Sequence, residues 1–157
     1  GGADTLNGGD GADSLAGGAG GDRLSPGTDT VADHIRAIDV ADSTGVARDV
    51  IVALDLNGED IFDLATSAVP TGIAAKITTG VLNEANFDGD LAAAVNASAL
   101  PAHNAVLFDP SGGTADYANT VYLIVDANGI AGYQAGQDYV FQLLGLTGTL
   151  STGDFNA

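Results

Sequence analysis

Gly8-Gly9-Asp10-Gly11-Ala12-Asp13-Ser14-Leu15-Ala16 is followed at once by Gly17-Gly18-Ala19-Gly20-Gly21-Asp22-Arg23-Leu24-Ser25, and both spell G-G-x-G-x-D-x-U-x, where U is a large apolar residue. A partial third copy, Gly2-Ala3-Asp4-Thr5-Leu6-Asn7, precedes them in the same nine-residue frame. The spelling has a chemical reason. Glycine takes positive φ without steric cost, so a turn built from it can swing its carbonyls toward one point. Aspartate adds a hard carboxylate oxygen of the kind Ca²⁺ prefers. The leucine opens a short strand and points inward. A lone Gly-Asp turn is ordinarily a solvated turn with no ion, but repetition in frame is the signature of a metal-binding solenoid.

The nonapeptide is that of calcium-binding parallel β-rolls, in which each repeat is half a coil and repeats n and n+2 stack on one edge. Asp4 and Asp22, 18 residues apart, therefore fall on one edge and Asp13 on the other. An ion between Asp4 and Asp22 would complete its usual six to eight or so oxygens with backbone carbonyls from both turns. Gly2, Gly8, Asp10, Gly11, Gly17, Ala19 and Gly20 join the three aspartates as candidate ligands. Asp13 needs a partner roughly one coil further on, where the frame breaks at Pro26-Gly27-Thr28-Asp29-Thr30-Val31; Asp29 and Asp33 are the candidates.

The 157 residues suffice for a real core, and 45% of them are hydrophobic, which argues for folding over a disordered acidic tail. Twenty-one acidic residues face four basic ones, a net charge of -17. Only Glu59 and Glu84 are glutamates. Aspartate favours turns and metal loops where glutamate favours helices, so the acidity belongs to loops and calcium sites. Nucleic acid is not expected as a partner and anionic membranes are poor ones, because the phosphate term is repulsive for such a surface. No run reaches the roughly 18 apolar residues of a membrane span, so no membrane insertion is expected. Cysteine is absent, which removes disulfides and thiolate metal sites. The chain enters in mid-repeat at Gly1, and solenoids need about three or more repeats; the expectation is the C-terminal piece of a longer protein.

Beyond the repeats, Ala32-Asp33-His34-Ile35 resumes strand-like alternation and Asp49 to Leu56 reads as a strand. Asn57-Gly58 reads as a turn, with Asp60-Ile61-Phe62-Asp63-Leu64 as a short returning strand whose core candidates are Ile61 and Leu64. One helix is expected from Asn86 to Leu100, with Asp88 and Asp90 near its positive end, Leu91, Ala94, Val95 and Ala99 at helical spacing, and Pro101 as its stop. Ala105 to Phe108, Val121 to Val125 and Asp138 to Leu144 read as strands. The expected fold is mainly β: a short calcium-binding parallel β-roll over residues 1–35, continuing into a β-rich capping domain with one helix over 36–157.

The repeats resemble those of repeats-in-toxin (RTX) proteins exported by bacterial type I secretion. Asp49-Val50-Ile51 followed by Gly58-Glu59-Asp60-Ile61-Phe62-Asp63-Leu64 is similar to the segment that caps their β-rolls. The stretch from Leu123 to Asp138 is similar to C-terminal regions of large RTX proteins, which carry the export signal. Thr152-Gly153-Asp154-Phe155-Asn156-Ala157 departs from the acidic-plus-three-apolar ending of secreted RTX proteases, since Asn156 is polar. The resemblance implies a secreted, extracellular or cell-surface protein whose partners are calcium ions and the type I export machinery.

Other constellations carry less. Asp126, Asn128 and Asp138 offer oxygens around a D-x-N-G turn as a second kind of calcium site, or else simply cap their own hairpin; Gln137 at the twelfth position rules out an EF-hand. His34 and His103 lack any paired or H-E-x-x-H spacing, and no serine sits in a G-x-S-x-G elbow. Asp55, Asp60 and Asp63 resemble a glycosidase pair only because Asp-rich turns abound. The tyrosines fit strand-face packing better than a sugar platform. The reading is a non-enzymatic extracellular calcium module that folds on Ca²⁺ after secretion, part of a surface-layer, filament or matrix protein. The alternative is an accessory and export module of a secreted protease, lipase or polysaccharide-modifying enzyme. Self-assembly, or docking of upstream repeats of the parent chain, is expected through the open N-terminal coil, with Val121–Val125 or Asp138–Leu144 available to complete a neighbour's sheet.

Overall fold

A computed structural model describes residues 1–57 and 60–157. Its first strands follow the nonapeptide frame: β1 (Thr5–Asn7), β2 (Ser14–Leu15) and β3 (Arg23–Ser25) each open one residue after a repeat aspartate. Three more strands follow, β4 (His34–Ala37), β5 (Asp49–Val52) and β6 (Ile61–Leu64). Successive strands alternate between two sheets. β1 pairs in parallel with β3 at Thr5↔Arg23, the 18-residue offset set by two nonapeptides. β2 pairs with β4 at Ser14↔His34, β3 with β5 at Arg23↔Val50, and β4 with β6 at His34↔Ile61, all parallel. The offset thus widens beyond the repeats while the stacking continues.

Six tripeptides underlie this regularity: Asp4-Thr5-Leu6, Asp13-Ser14-Leu15, Asp22-Arg23-Leu24, Asp33-His34-Ile35, Asp49-Val50-Ile51 and Asp60-Ile61-Phe62. The third residue of each enters one hydrophobic layer between the sheets. Leu15, Leu24, Ile35, Ile51 and Phe62 are buried there, with Leu6 packed at the open end. Each full burial of this kind stabilises by about 1.5–3 kcal/mol.

After β7 (Gly72–Ile73) and the helix α1 (Phe87–Ala94) come β8 (Asn104–Phe108), β9 (Thr120–Val125), β10 (Tyr139–Leu144) and β11 (Phe155–Asn156). The larger sheet runs β1-β3-β5-β10-β9-β8-β7 and the smaller β11-β6-β4-β2. β10 lies parallel to β5, and the β10-β9-β8 part is antiparallel. Tyr139, Phe141 and Leu143 face the inter-sheet layer, whereas Tyr122, Ile124 and Val140 face a second layer closed by Phe87 and Leu91 of α1. Burial on both faces accounts for the unbroken apolar runs of β9 and β10. The chain is mainly strands with one short helix, and no helix among the described residues is long and apolar enough to cross a membrane.

Four expectations need correction. The helix stops at Ala94 rather than Leu100. Val95 leaves helical geometry, and the segment's carbonyls pair elsewhere: Tyr133 N–H donates to Val95 O and Gly132 N–H to Leu100 O. Pairing with the β9–β10 loop outweighs the 3.6-residue period. The strand from Asp49 ends at Val52, because Ala53 takes φ 59° and Leu54 and Leu56 turn into the core. β6 is not a returning hairpin partner of β5; it lies in the other sheet, parallel to β4. The expected Asn57-Gly58 turn, with Glu59, falls partly outside the described residues. Finally, β9 and β10 are interior strands with a neighbour on each side, so neither has a free edge to lend another molecule. The edges are β1 and β7 in one sheet and β2 and β11 in the other.

Candidate metal centre

The repeat aspartates form two ladders, one on each edge of the stack. On the first edge Asp4 N–H donates to Asp22 Oδ1 at 2.7 Å, and Asp22 N–H donates to Asp49 Oδ1 at 2.9 Å. On the second, Asp13 N–H donates to Asp33 Oδ1 at 2.8 Å and Asp33 N–H to Asp60 Oδ1 at 3.1 Å. One carboxylate oxygen each of Asp22, Asp49, Asp33 and Asp60 thus satisfies the backbone of the tier before it. Oδ2 of Asp22 and Oδ2 of Asp13 are buried with no hydrogen-bond partner. An orphaned buried carboxylate oxygen is costly unless a cation or donor meets it.

Both orphaned oxygens point into glycine-lined turns. A Cβ on Gly17 would overlap Asp22 Oδ2, and one on Gly8 would come within 2.8 Å of Asp13 Oδ2 and overlap Pro26 O. Carbonyls of the stacked turns approach closely as well. Gly20, at φ 133°, has the Gly2 carbonyl oxygen where a side chain would begin, and Gly27 has that of Gly9. Gly2 N–H donates to Ala19 O and Gly8 N–H to Ser25 O, locking the turns in register. The result is a carboxylate oxygen and main-chain carbonyls at close quarters, the all-oxygen donor set that suits Ca²⁺ and not softer metals. No group of three or more His, Asp or Glu side chains that could hold a metal forms among the described residues; a centre here depends on main-chain oxygens.

The structure brings both candidate partners of Asp13 to its edge, in different roles. Asp33 is the next rung. Asp29 accepts Gly11 N–H at 2.6 Å and Val31 N–H at 2.8 Å, and these bonds hold its carboxyl below the usual range. Asp10 is exposed in its turn. Burial raises the Asp33 carboxyl, reinforced by repulsion from Asp60, Asp13 and Asp29 against the opposing bond from Asp13 N–H. Burial likewise pushes Asp49 up to about 7, with Asp22 and Asp42 adding repulsion.

Asp126 and Asp138 are both fully buried at the mouth of the β9–β10 hairpin. Asp126 accepts His103 N–H at 2.6 Å, Asn128 N–H at 3.1 Å and Gly129 N–H at 2.8 Å; Asp138 accepts Ala127 N–H at 3.1 Å and Gln134 N–H at 2.7 Å. Asn128 Oδ1 accepts Ile130 N–H at 2.7 Å. These oxygens shape the loop with backbone donors, whereas Asp13 and Asp22 each keep one oxygen free of any. His34 Nδ1 lies 2.9 Å from Asp63 Oδ2, a partnered surface pair.

Asp49 and Asp60 were not among the candidate ligands, yet they complete the ladders. The signal was present in the D-x-apolar tripeptide, which recurs after the glycine frame has gone. Compared with known proteins, residues 1–31 match the family model described as RTX calcium-binding nonapeptide repeat (4 copies). No curated protein matches the chain.

Proposed function

We propose, from the premise that the chain carries at its N-terminus the repeats of an RTX calcium-binding protein, that it is a non-enzymatic calcium-folded module of a secreted protein. RTX nonapeptide repeats bind Ca²⁺. The observation that carries the reading is the pair of buried, unpartnered oxygens, Asp22 Oδ2 and Asp13 Oδ2, in glycine turns one coil-edge apart. In this reading the turns of Gly2–Asp4 and Gly17–Asp22 hold one ion, and those of Gly8–Asp13 and Pro26–Asp33 another. At the low free calcium of a cytoplasm the aspartates repel and the repeats stay open for type I export. Outside the cell the ion neutralises them, and binding free energy becomes folding free energy.

Residues 36–157 act as the cap of the roll. Support comes from the larger sheet, where β9, β8 and β7 extend past β10 and fill the place a further parallel tier would take. At the repeat end the stack can grow at β1 and β2, toward upstream repeats or another copy. A surface-layer, filament or matrix protein uses such an end for assembly, and an accessory module of a secreted enzyme covers it with its own repeats. Isothermal titration with Ca²⁺, beside circular dichroism in chelator and in millimolar Ca²⁺, tests the reading: heat of binding and a gain of β-structure are expected. No heat and an unchanged spectrum would refute it.

A further inference from the structure

The first-edge ladder does not end at Asp49. Its N–H donates to Ser43 Oγ at 2.8 Å, where a further aspartate would otherwise sit. Ser43 is fully buried, and its hydroxyl donates in turn to Val140 O at 2.6 Å. Val140 N–H returns to Ser43 O at 3.0 Å, and next to it Thr44 Oγ1 donates to Asp138 O at 2.8 Å. A single file of hydrogen bonds therefore joins Asp4, Asp22, Asp49, Ser43 and Val140, from the first turn to the central strand β10. On the other edge Asp60 N–H goes to Asp55 O at 3.3 Å and Asp55 N–H to Asp60 Oδ2 at 3.0 Å, and Thr147 Oγ1 donates to Asp55 Oδ1 at 2.7 Å, so that ladder runs to the segment after β10 rather than into the strand itself.

We infer that Ser43 is a positioning residue for the metal centre: it terminates the Asp4–Asp22–Asp49 ladder and ties calcium binding at Asp22 to the order of β10. The inference rests on the calcium reading above. Its physical basis is that Asp22 has two faces. Oδ1 and the backbone N–H are held by the ladder, and Oδ2 is left for the ion. Only a hydroxyl at residue 43 accepts from Asp49 and donates to β10 at once, because a serine oxygen does both. A carboxylate there could accept but not donate, and alanine could do neither. Fixing Asp49 fixes the Asp22 backbone through its N–H, and with Asp4 N–H on Oδ1 this sets where Oδ2 points before the ion arrives. By reciprocity of linked equilibria, the factor by which order at Val140 raises calcium affinity is the factor by which bound calcium favours order at Val140.

The test uses the whole chain, with amide hydrogen exchange read by NMR and calcium affinity by calorimetry. In the wild type, Ca²⁺ should slow exchange at Asp22, Asp49 and Val140 together. In Ser43→Ala the ion should still protect Asp4, but protection at Val140 should no longer respond to calcium, and affinity at the first edge should drop about five- to tenfold. Tyr122→Phe removes a buried hydrogen bond from β9 to the loop carbonyl Ala115 O without touching the ladder; it should lower stability and leave calcium affinity unchanged. A merely structural Ser43 would behave as Tyr122 does. Wild-type calcium binding with no change at Val140 overturns the inference even if Ser43→Ala does not fold, as does equal affinity in wild type and Ser43→Ala. Absence of wild-type binding overturns it together with the calcium reading, and is told apart by the missing heat.

Discussion

At the scale of the residue, the decisive groups are carboxylates distinguished by what their second oxygen meets. Asp22 holds Asp4 N–H with one oxygen and leaves the other buried and bare, so Asp22→Ala should abolish the calorimetric signal of the first edge. Asp116 is exposed in a loop, and Asp116→Ala should stay within about 0.5 kcal/mol of wild-type stability. Equal calcium affinities for the two variants would show that the ladder is not the binding frame. Gly17→Ala should imitate Asp22→Ala, since the new methyl would occupy the place of Asp22 Oδ2. Asp138 gives a pH dependence independent of the repeats. Burial pushes its carboxyl from 3.8 up to about 6, with Asp126 adding repulsion against the bonds from Gln134 and Ala127. The folded state then binds this proton more tightly than the unfolded chain. The contribution is therefore complete below about pH 4 and is lost as pH rises through about 6. In chelator, the melting temperature should fall across that window, and Asp138→Asn should flatten the fall.

At the scale of the element, α1 is held by its buried Phe87 and Leu91 and by Arg48. This guanidinium lies 4.0 Å over the Phe87 ring, 2.6 Å from Glu84 Oε1 and 3.1 Å from Gln142 Oε1, and is largely buried. It links the 3-10 turn after β4, the start of α1 and strand β10. Arg48→Ala removes a cation–π contact and two hydrogen bonds to half-buried side chains, which should cost about 1–3 kcal/mol in urea unfolding. Arg48→Lys should recover little, since an ammonium cannot stack on the ring and reach both acceptors. A loss below about 1 kcal/mol would mean that α1 is held by its apolar contacts alone.

At the scale of the molecule, one apolar layer runs from Leu15 through Ile51 to Phe141 and Phe155. Because the repeats and the C-terminal strands share it, calcium should raise the stability of the whole chain in one transition, by about 2.7 kcal/mol per ion at a hundredfold excess over the dissociation constant. Thermal melts followed by far-ultraviolet dichroism and by tyrosine absorbance should coincide. Separate transitions would mean that the repeats fold apart from the rest. Magnesium should substitute poorly, since its octahedral demand at about 2.1 Å does not fit main-chain turns built for a larger ion. Light scattering with calcium, on the chain alone and on one extended by upstream repeats, addresses the open β1 and β2 end. Association of the first and not the second would assign that end to the parent's own repeats.

The glycine-aspartate frame was legible because every part of it is local. A turn needs its glycines, a ligand its carboxylate and a strand its inward leucine, all within nine residues, so the Thr5↔Arg23 register and the placing of Asp4 with Asp22 followed from spacing alone. The mainly β class and the single helix were legible for the same reason. Past Ser25 the decisive pairings join residues 27 apart, as in Asp22 with Asp49, or nearly a hundred apart, as in Ser43 with Val140. No local period encodes these. The helix end at Ala94, the assignment of β6 to the other sheet and the interior position of β10 were decided by which backbone groups and apolar faces found partners across the fold. Repetition writes its own register into the sequence; closure of the stack is settled only when the last strands meet the first.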